Sequence, residues 1–262
     1  MPTKIESYKN GVIKSVSYFD EVGLQQGDCE RNDEKGHLIE KSVYKDGQRH
    51  GAYHTYYPNG QYREVGAYQN GQASGRYTTY YENGQVQCRC TYRNGKASGS
   101  FEWYAEDGHV IELSFYQNGQ LQGPCELYHD NGQIALRCSY RAGKKHGMSE
   151  WFYDNGRLGG RCLYRNGQLE GPAEMYYPNG QLFKKCTYKD GKEDGLMWVY
   201  TNNGQLKERS MMKQGARDAE RVGVNFRLTR LNREMGPVAK RQSDKRAIVA
   251  CYRMRHPRER QD

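Results

Sequence analysis

Several side-chain types that could do chemistry recur in this 262-residue sequence at a fixed interval. Of its eight cysteines, Cys90, Cys138, Cys162 and Cys186 fall in one register, which other units fill with Ser42, Gly66, Ser114 and Ser210. A position that accepts only small residues points to packing. Equivalent cysteines in successive β-hairpins lie two strands, about 10 Å, apart, beyond the reach of a disulfide. Cys88 and Cys90 are then the close pair. No Cys-x-x-Cys occurs, and no histidine cluster completes a zinc set. Glu102, Glu126, Glu150 and Glu174 form a carboxylate row. Paired carboxylates need a closed cleft and a separation of roughly 5–10 Å to act as acid and base. On a flat sheet they predict a solvated face or a docking strip for a basic segment. His50 and His146 precede Gly51 and Gly147 and read as turn surface. Tyr56, Tyr80, Tyr104, Tyr128, Phe152, Tyr176 and Tyr200 form an aromatic column, either sheet packing or a ladder that stacks on bases. Recurrence in every unit favours packing, because folding needs all units and a binding site only a few. Nothing resembles a Ser/His/Asp or Cys/His set or a phosphate-cradling loop. The sequence predicts no catalytic residue, no cofactor and no metal.

The elements that carry these side chains are set by an internal repeat. Tyr44, Tyr68, Tyr92, Tyr116, Tyr140, Tyr164 and Tyr188 recur every 24 residues. Three residues after each stands Gly47, Gly71, Gly95, Gly119, Gly143, Gly167 or Gly191. Sixteen residues after each stands Gly60, Gly84, Gly108, Gly132, Gly156, Gly180 or Gly204. A third glycine follows each tyrosine by seven. With the flanking units, 25 of the 31 glycines keep this phase. Most of the turn glycines are preceded by Asn or Asp, the dipeptides of tight hairpin turns. Between them lie β-prone runs such as Tyr53–Tyr57 and Met197–Tyr200. Two turns and two strands per unit predict an all-β fold: an elongated, single-layer antiparallel meander of about 16 strands in eight hairpins over residues 20–216. Residues 1–19, with Tyr8-Lys9-Asn10-Gly11, read as a cap or a decayed half-repeat shifted by one residue.

The run Gly75-Arg76-Tyr77-Thr78-Thr79-Tyr80-Tyr81-Glu82-Asn83-Gly84-Gln85, followed by Tyr92-Arg93-Asn94-Gly95-Lys96 and Gly99, resembles a MORN repeat. It is similar in particular to the variant of YwqK-type bacterial antitoxins and of arrays encoded by bacteria and large amoebal DNA viruses. The spacing here is Tyr-x-x-Gly-x-x-x-Gly, unlike the Tyr-x-Gly of the better-known form. The resemblance implies a β-hairpin ribbon without catalytic residues, used for protein contacts or, in some proposals, phospholipid contacts.

Charge divides the chain. The formal net charge is +9, yet residues 217–262 carry 13 Lys/Arg against 6 Asp/Glu. Their basic side chains include Arg227, Arg230, Arg233, Lys240, Arg241, Lys245, Arg246, Arg253, Arg255, Arg258 and Arg260. This extension is expected to cap the ribbon's open edge, to dock on a protein partner, or to bind nucleic acid or an anionic membrane surface. The N-terminus shows no apolar signal-peptide core and no stretch has the length of a membrane span, so a cytoplasmic location is expected, or a virion if the source is viral. The function expected is a non-catalytic scaffold for protein–protein contacts, a component of a larger assembly such as a virus particle. The alternative is an antitoxin that sequesters a toxin.

Overall fold

A computed structural model describes residues 2–218. The basic side chains from Arg227 to Arg260 lie outside the described residues. Strands follow one another in chain order, each pairing antiparallel with the next in a single open sheet of 22 strand segments. Sixteen are the full strands of the repeat, from Gln25–Asn32 to Leu206–Lys213. Thr3–Ser7 and Ile13–Phe19 add a further hairpin at the N-terminal end. Gln72–Ala73, Lys144–Lys145 and Lys192–Glu193 are the first residues of strands that a bulge interrupts, and Ala216–Arg217 pairs with Leu206–Lys213.

The three glycine positions are three different devices. Asn70 (φ +48°) and Gly71 (φ +74°) link Tyr62–Gln69 to the next strand. Two consecutive left-handed residues make a type I′ turn, whose twist matches that of the strands it joins. Gly60 (φ +83°) closes the longer loop Tyr57–Gln61, but Asn59 is not left-handed. This departs from the reading of Asn-Gly as a positive-φ dipeptide in both turns. Asn59 acts through its side chain: Oδ1 accepts from the Gln61 amide at 3.0 Å and Nδ2 donates to the Glu82 carbonyl of the next hairpin at 2.9 Å. The third glycine, exemplified by Gly51 (φ +115°), lies inside the strand Gln48–Tyr56 rather than in a turn. Tyr44 faces Arg49 and Ser42 faces Tyr53, so three residues of one strand stand against one of the other. That bulge bends the strand.

The core lies on one face of the sheet: a central file along the ribbon axis, flanked on that face by buried pairs such as Glu40–Thr55, Thr79–Cys88 and Val199–Glu208. Cross-strand pairs run Cys29–Ser42–Tyr53–Gly66, then Tyr77–Cys90–Phe101–Ser114–Cys125–Cys138, then Ser149–Cys162–Ala173–Cys186, ending with Met197–Ser210. Repeat-opening tyrosines fold over it edge-on: Tyr68 on Tyr53 at 5.1 Å and Tyr92 on Tyr77 at 5.7 Å between ring centroids. Tyr77 is thereby 2% exposed in a sheet of one layer. The small residues exist to admit these rings. A Cβ on Gly66 would stand 2.3 Å from the Tyr77 ring, and one on Gly159 would meet Trp151 at 1.9 Å. Cys88 and Cys90 are neighbours along one strand, not partners across two. Cys125 and Cys138 face each other directly. Cys125 occupies the position held elsewhere by Tyr53, Tyr77 and Phe101, so a search along the other cysteine register passes over it.

Both long edges of the ribbon are stitched between hairpins. Along one, Tyr57, Tyr81, Tyr153 and Tyr177 donate their hydroxyls to the carbonyls of Tyr80, Tyr104, Tyr176 and Tyr200 at 2.7–3.0 Å. Tyr8 reaches Asn32 and Asn10 reaches Glu34 in the same way, one residue out of phase. Along the other, each I′ turn glycine donates to the preceding hairpin, as Gly71 does to Arg49 and Gly95 to Ala73, both at 2.9 Å. His50 belongs to this edge and pairs with Asn70, so it is a link between turns rather than bare surface.

Candidate interaction surface

Side chains alternate across a strand, so the residues next in sequence to the core file form the opposite face. There the carboxylate row meets a row of bases. Glu126 faces Arg137, Arg137 faces Glu150, Glu150 faces Arg161, Arg161 faces Glu174, and Glu174 faces Lys185. Arg137 contacts Glu126 at 2.9 Å and Arg161 contacts Glu174 at 2.6 Å, with Lys185 at 3.8 Å from Glu174. The aromatic column joins the same ladder. Tyr128 donates its hydroxyl to Glu126, and Tyr176 to Glu174, at 2.7 and 2.8 Å. Those hydroxyls, with the guanidinium groups beside them, hold both carboxyls below their usual range. A strip neutralised by its own neighbours is poorly suited to hold a basic segment, contrary to the docking strip expected from the glutamates alone. The bases were legible too, as Arg89, Arg137, Arg161 and Lys185 also recur in steps of 24 or 48, but only the pairing register sets them between the glutamates.

The ladder lapses at Leu113, between Glu102 and Glu126, at Trp198, between Lys185 and Arg209, and over a longer stretch around Val65. His54 faces Val65 and Val65 faces Thr78, none of them a carboxylate–base pair. Over this gap Tyr56 stacks on Tyr62 at 5.2 Å, His54 meets Tyr62 edge-on at 5.5 Å, and Tyr80 lies 6.4 Å from Tyr62. Tyr62 is 46% exposed. Four rings thus present an aromatic patch flanked by charge, the composition in which protein interfaces are enriched. The periodic column did not point to it, because Tyr62 and His54 are departures from the repeat and not members of it.

Charges also enter the core face. Arg49 meets Glu40 and Arg217 meets Glu208, each at 2.7 Å, and one site reverses the order with Lys184 on Glu193. Glu112 occupies the carboxylate position where Leu121 replaces the arginine. Burial pushes the Glu112 carboxyl up, against the opposing hydrogen bond from Ser114. Among the described residues no three His, Cys, Asp or Glu side chains are grouped so as to hold a metal ion. No helix there is long and apolar enough to cross a membrane.

Five segments match the MORN repeat variant. They are residues 49–70, 73–94, 98–118, 121–142 and 169–190. MORN repeats are commonly protein- or membrane-binding modules and generally non-catalytic. The unit between the fourth and fifth matches keeps the same stitching, with Tyr153 bonded to Tyr176 and Gly167 to Lys145. No curated protein sequence matches the chain. Solved structures similar to it include a mutant of S. aureus TarM, at 17% identity and a TM-score of 0.26, covering 37% of this chain and 19% of that one. Another is the TcdB2-TccC3-Cdc42 assembly, at 14% identity and a TM-score of 0.20, covering 77% and 14%. A third is the Photorhabdus luminescens Tc holotoxin pore, at 15% and 0.20, covering 76% and 13%. The chain spans less than a fifth of the length of these structures' chains.

Proposed function

We propose that the protein is a non-catalytic scaffold whose MORN-type ribbon holds a protein partner on its charged face. The observation that supports this reading most is the aromatic patch around Tyr62. There the exposed Tyr62 ring is packed by the half-buried Tyr56, Tyr80 and His54 over a stretch with no carboxylate–base pair. Buried aromatic anchors dominate interface energetics, so Tyr62→Ser should weaken the complex tenfold or more while leaving the melting curve within about 1 °C. Co-purification from native material with wild type and Tyr62→Ser tests this. A protein that runs as a free monomer in every extract, or a Tyr62→Ser variant that retains the same partner at the same strength, would refute it.

The basic extension from residue 217 onward favours a second attachment, since it holds most of the excess positive charge. Its proposed partner surface is Arg227, Arg230, Arg233, Lys240, Arg241, Lys245, Arg246, Arg253, Arg255, Arg258 and Arg260. Truncation after Asp218 should abolish the attachment. A salt-sensitive gel shift would assign it to nucleic acid, and sedimentation with anionic vesicles to a membrane surface. Toxin sequestration is the most specific form of the scaffold reading. It requires the adjacent reading frame to be toxic alone and tolerated with this chain.

A further inference from the structure

We propose that Cys125 and Cys138 form a reversible dithiol–disulfide site oxidised by a hydroperoxide. They are direct cross-strand partners in the pair Gln120–Tyr128 and Ile134–Arg141. Residues so opposed have Cα atoms about 4.5–5.5 Å apart, inside the roughly 4.4–6.8 Å window a disulfide spans. The other described thiols face something else. Cys29 faces Ser42, Cys88 faces Thr79 and Trp103, Cys90 faces Tyr77 and Phe101, Cys162 faces Ser149 and Ala173, and Cys186 faces Ala173. Cys125 hydrogen-bonds Cys138 and, with the nearby Lys145 charge, draws the Cys138 thiol below its ordinary range, while Glu112 and burial act in the opposite sense. We assign Cys138 as the attacking sulfur and Cys125 as the resolving one; the same disulfide forms if the roles reverse. Both are buried, at 4% and 5% exposure, so the oxidant must be small.

The chemistry balances with hydrogen peroxide. The Cys138 thiolate attacks one oxygen, the O–O bond breaks, and hydroxide leaves to take up the proton that Cys138 released. The resulting sulfenic acid is attacked by the Cys125 sulfur; the S–O bond breaks, and water departs with the Cys125 proton. Two thiols and one peroxide become one disulfide and two waters, the sulfurs losing the two electrons that the peroxide gains. A thiol reductant reverses the product by exchange.

The test is to treat the full chain with hydrogen peroxide, unfold it in an alkylating agent, and map the products by mass spectrometry. The expected result is two fewer alkylated cysteines, one cross-linked peptide joining Cys125 to Cys138, and recovery of both thiols with dithiothreitol. Cys125→Ala and Cys138→Ser should fold, because the repeat itself places Ala173 and Ser114 at those positions. Cys125→Ala should give no internal cross-link at the same peroxide dose. Retention of all eight thiols, a cross-link through Cys88, Cys90 or Cys251, or an unchanged cross-link yield in Cys125→Ala would overturn the proposal.

Discussion

Ala142 stands with φ +49° at the turn position that Asn70, Asn94, Asn118 and Asn166 fill elsewhere. An alanine there carries a left-handed penalty of about 1–2 kcal/mol, which asparagine partly escapes. Ala142→Asn is expected to stabilise the chain by about 1 kcal/mol, raising the melting temperature by roughly 2–4 °C for a protein of this size. Glu112 gives a prediction with a sign. Its folded-state pKa is raised above the ordinary 4.5, so its favourable contribution is complete below about pH 4.5 and is lost as pH rises through the folded value. Melting temperature measured from pH 4.5 upward should therefore carry a declining component that Glu112→Gln removes. A parallel pH profile in the variant would show that the carboxyl is not the source. The sequence made the turn glycines and the small-residue position readable because each obeys a steric rule that acts locally. It hid the Cys125–Cys138 contact and the Tyr62 patch because both arise from a residue departing from its column. Only the pairing register says what such a residue then faces.

At the scale of the hairpin, the tyrosine that follows the first strand is a clamp, and its absence at Ala105 leaves a place where one can be added. Ala105→Tyr should donate to the Tyr128 carbonyl, as Tyr81 does to Tyr104. A net hydrogen bond is worth about 0.5–1.5 kcal/mol, so calorimetry should show Ala105→Tyr more stable and Tyr81→Phe less stable by that amount. Equal melting curves for all three proteins would deny the clamp any energetic role. Strand number and order in the repeat were legible from the 24-residue period alone. The bulge was not, since Gly51 and Gly60 look alike in a sequence and differ only in what their neighbours pair with. The ion ladder was half legible: its glutamates were conspicuous, whereas their neutralisation depends on a register that places Arg137 and Arg161 between them.

Across the whole molecule, each hairpin touches only its neighbours, so stability is close to a sum of unit and interface terms. Excision of residues 119–142, one full period, should leave a folded ribbon with a lower melting temperature. Excision of residues 120–142 should not fold, because a one-residue slip turns every core side chain to the opposite face. Circular dichroism and a melting curve on the two deletions distinguish these outcomes. The single-layer sheet has a mechanical corollary. With no second layer to lock the strands, tension applied across the two ends of the sheet meets one hairpin's bonds at a time, as in a zip rather than a rivet. Extension in an optical trap should advance in equal increments, each releasing 24 residues and up to about 80 Å of chain. The protein would then yield gradually under load and reseat one tooth at a time when the load is withdrawn.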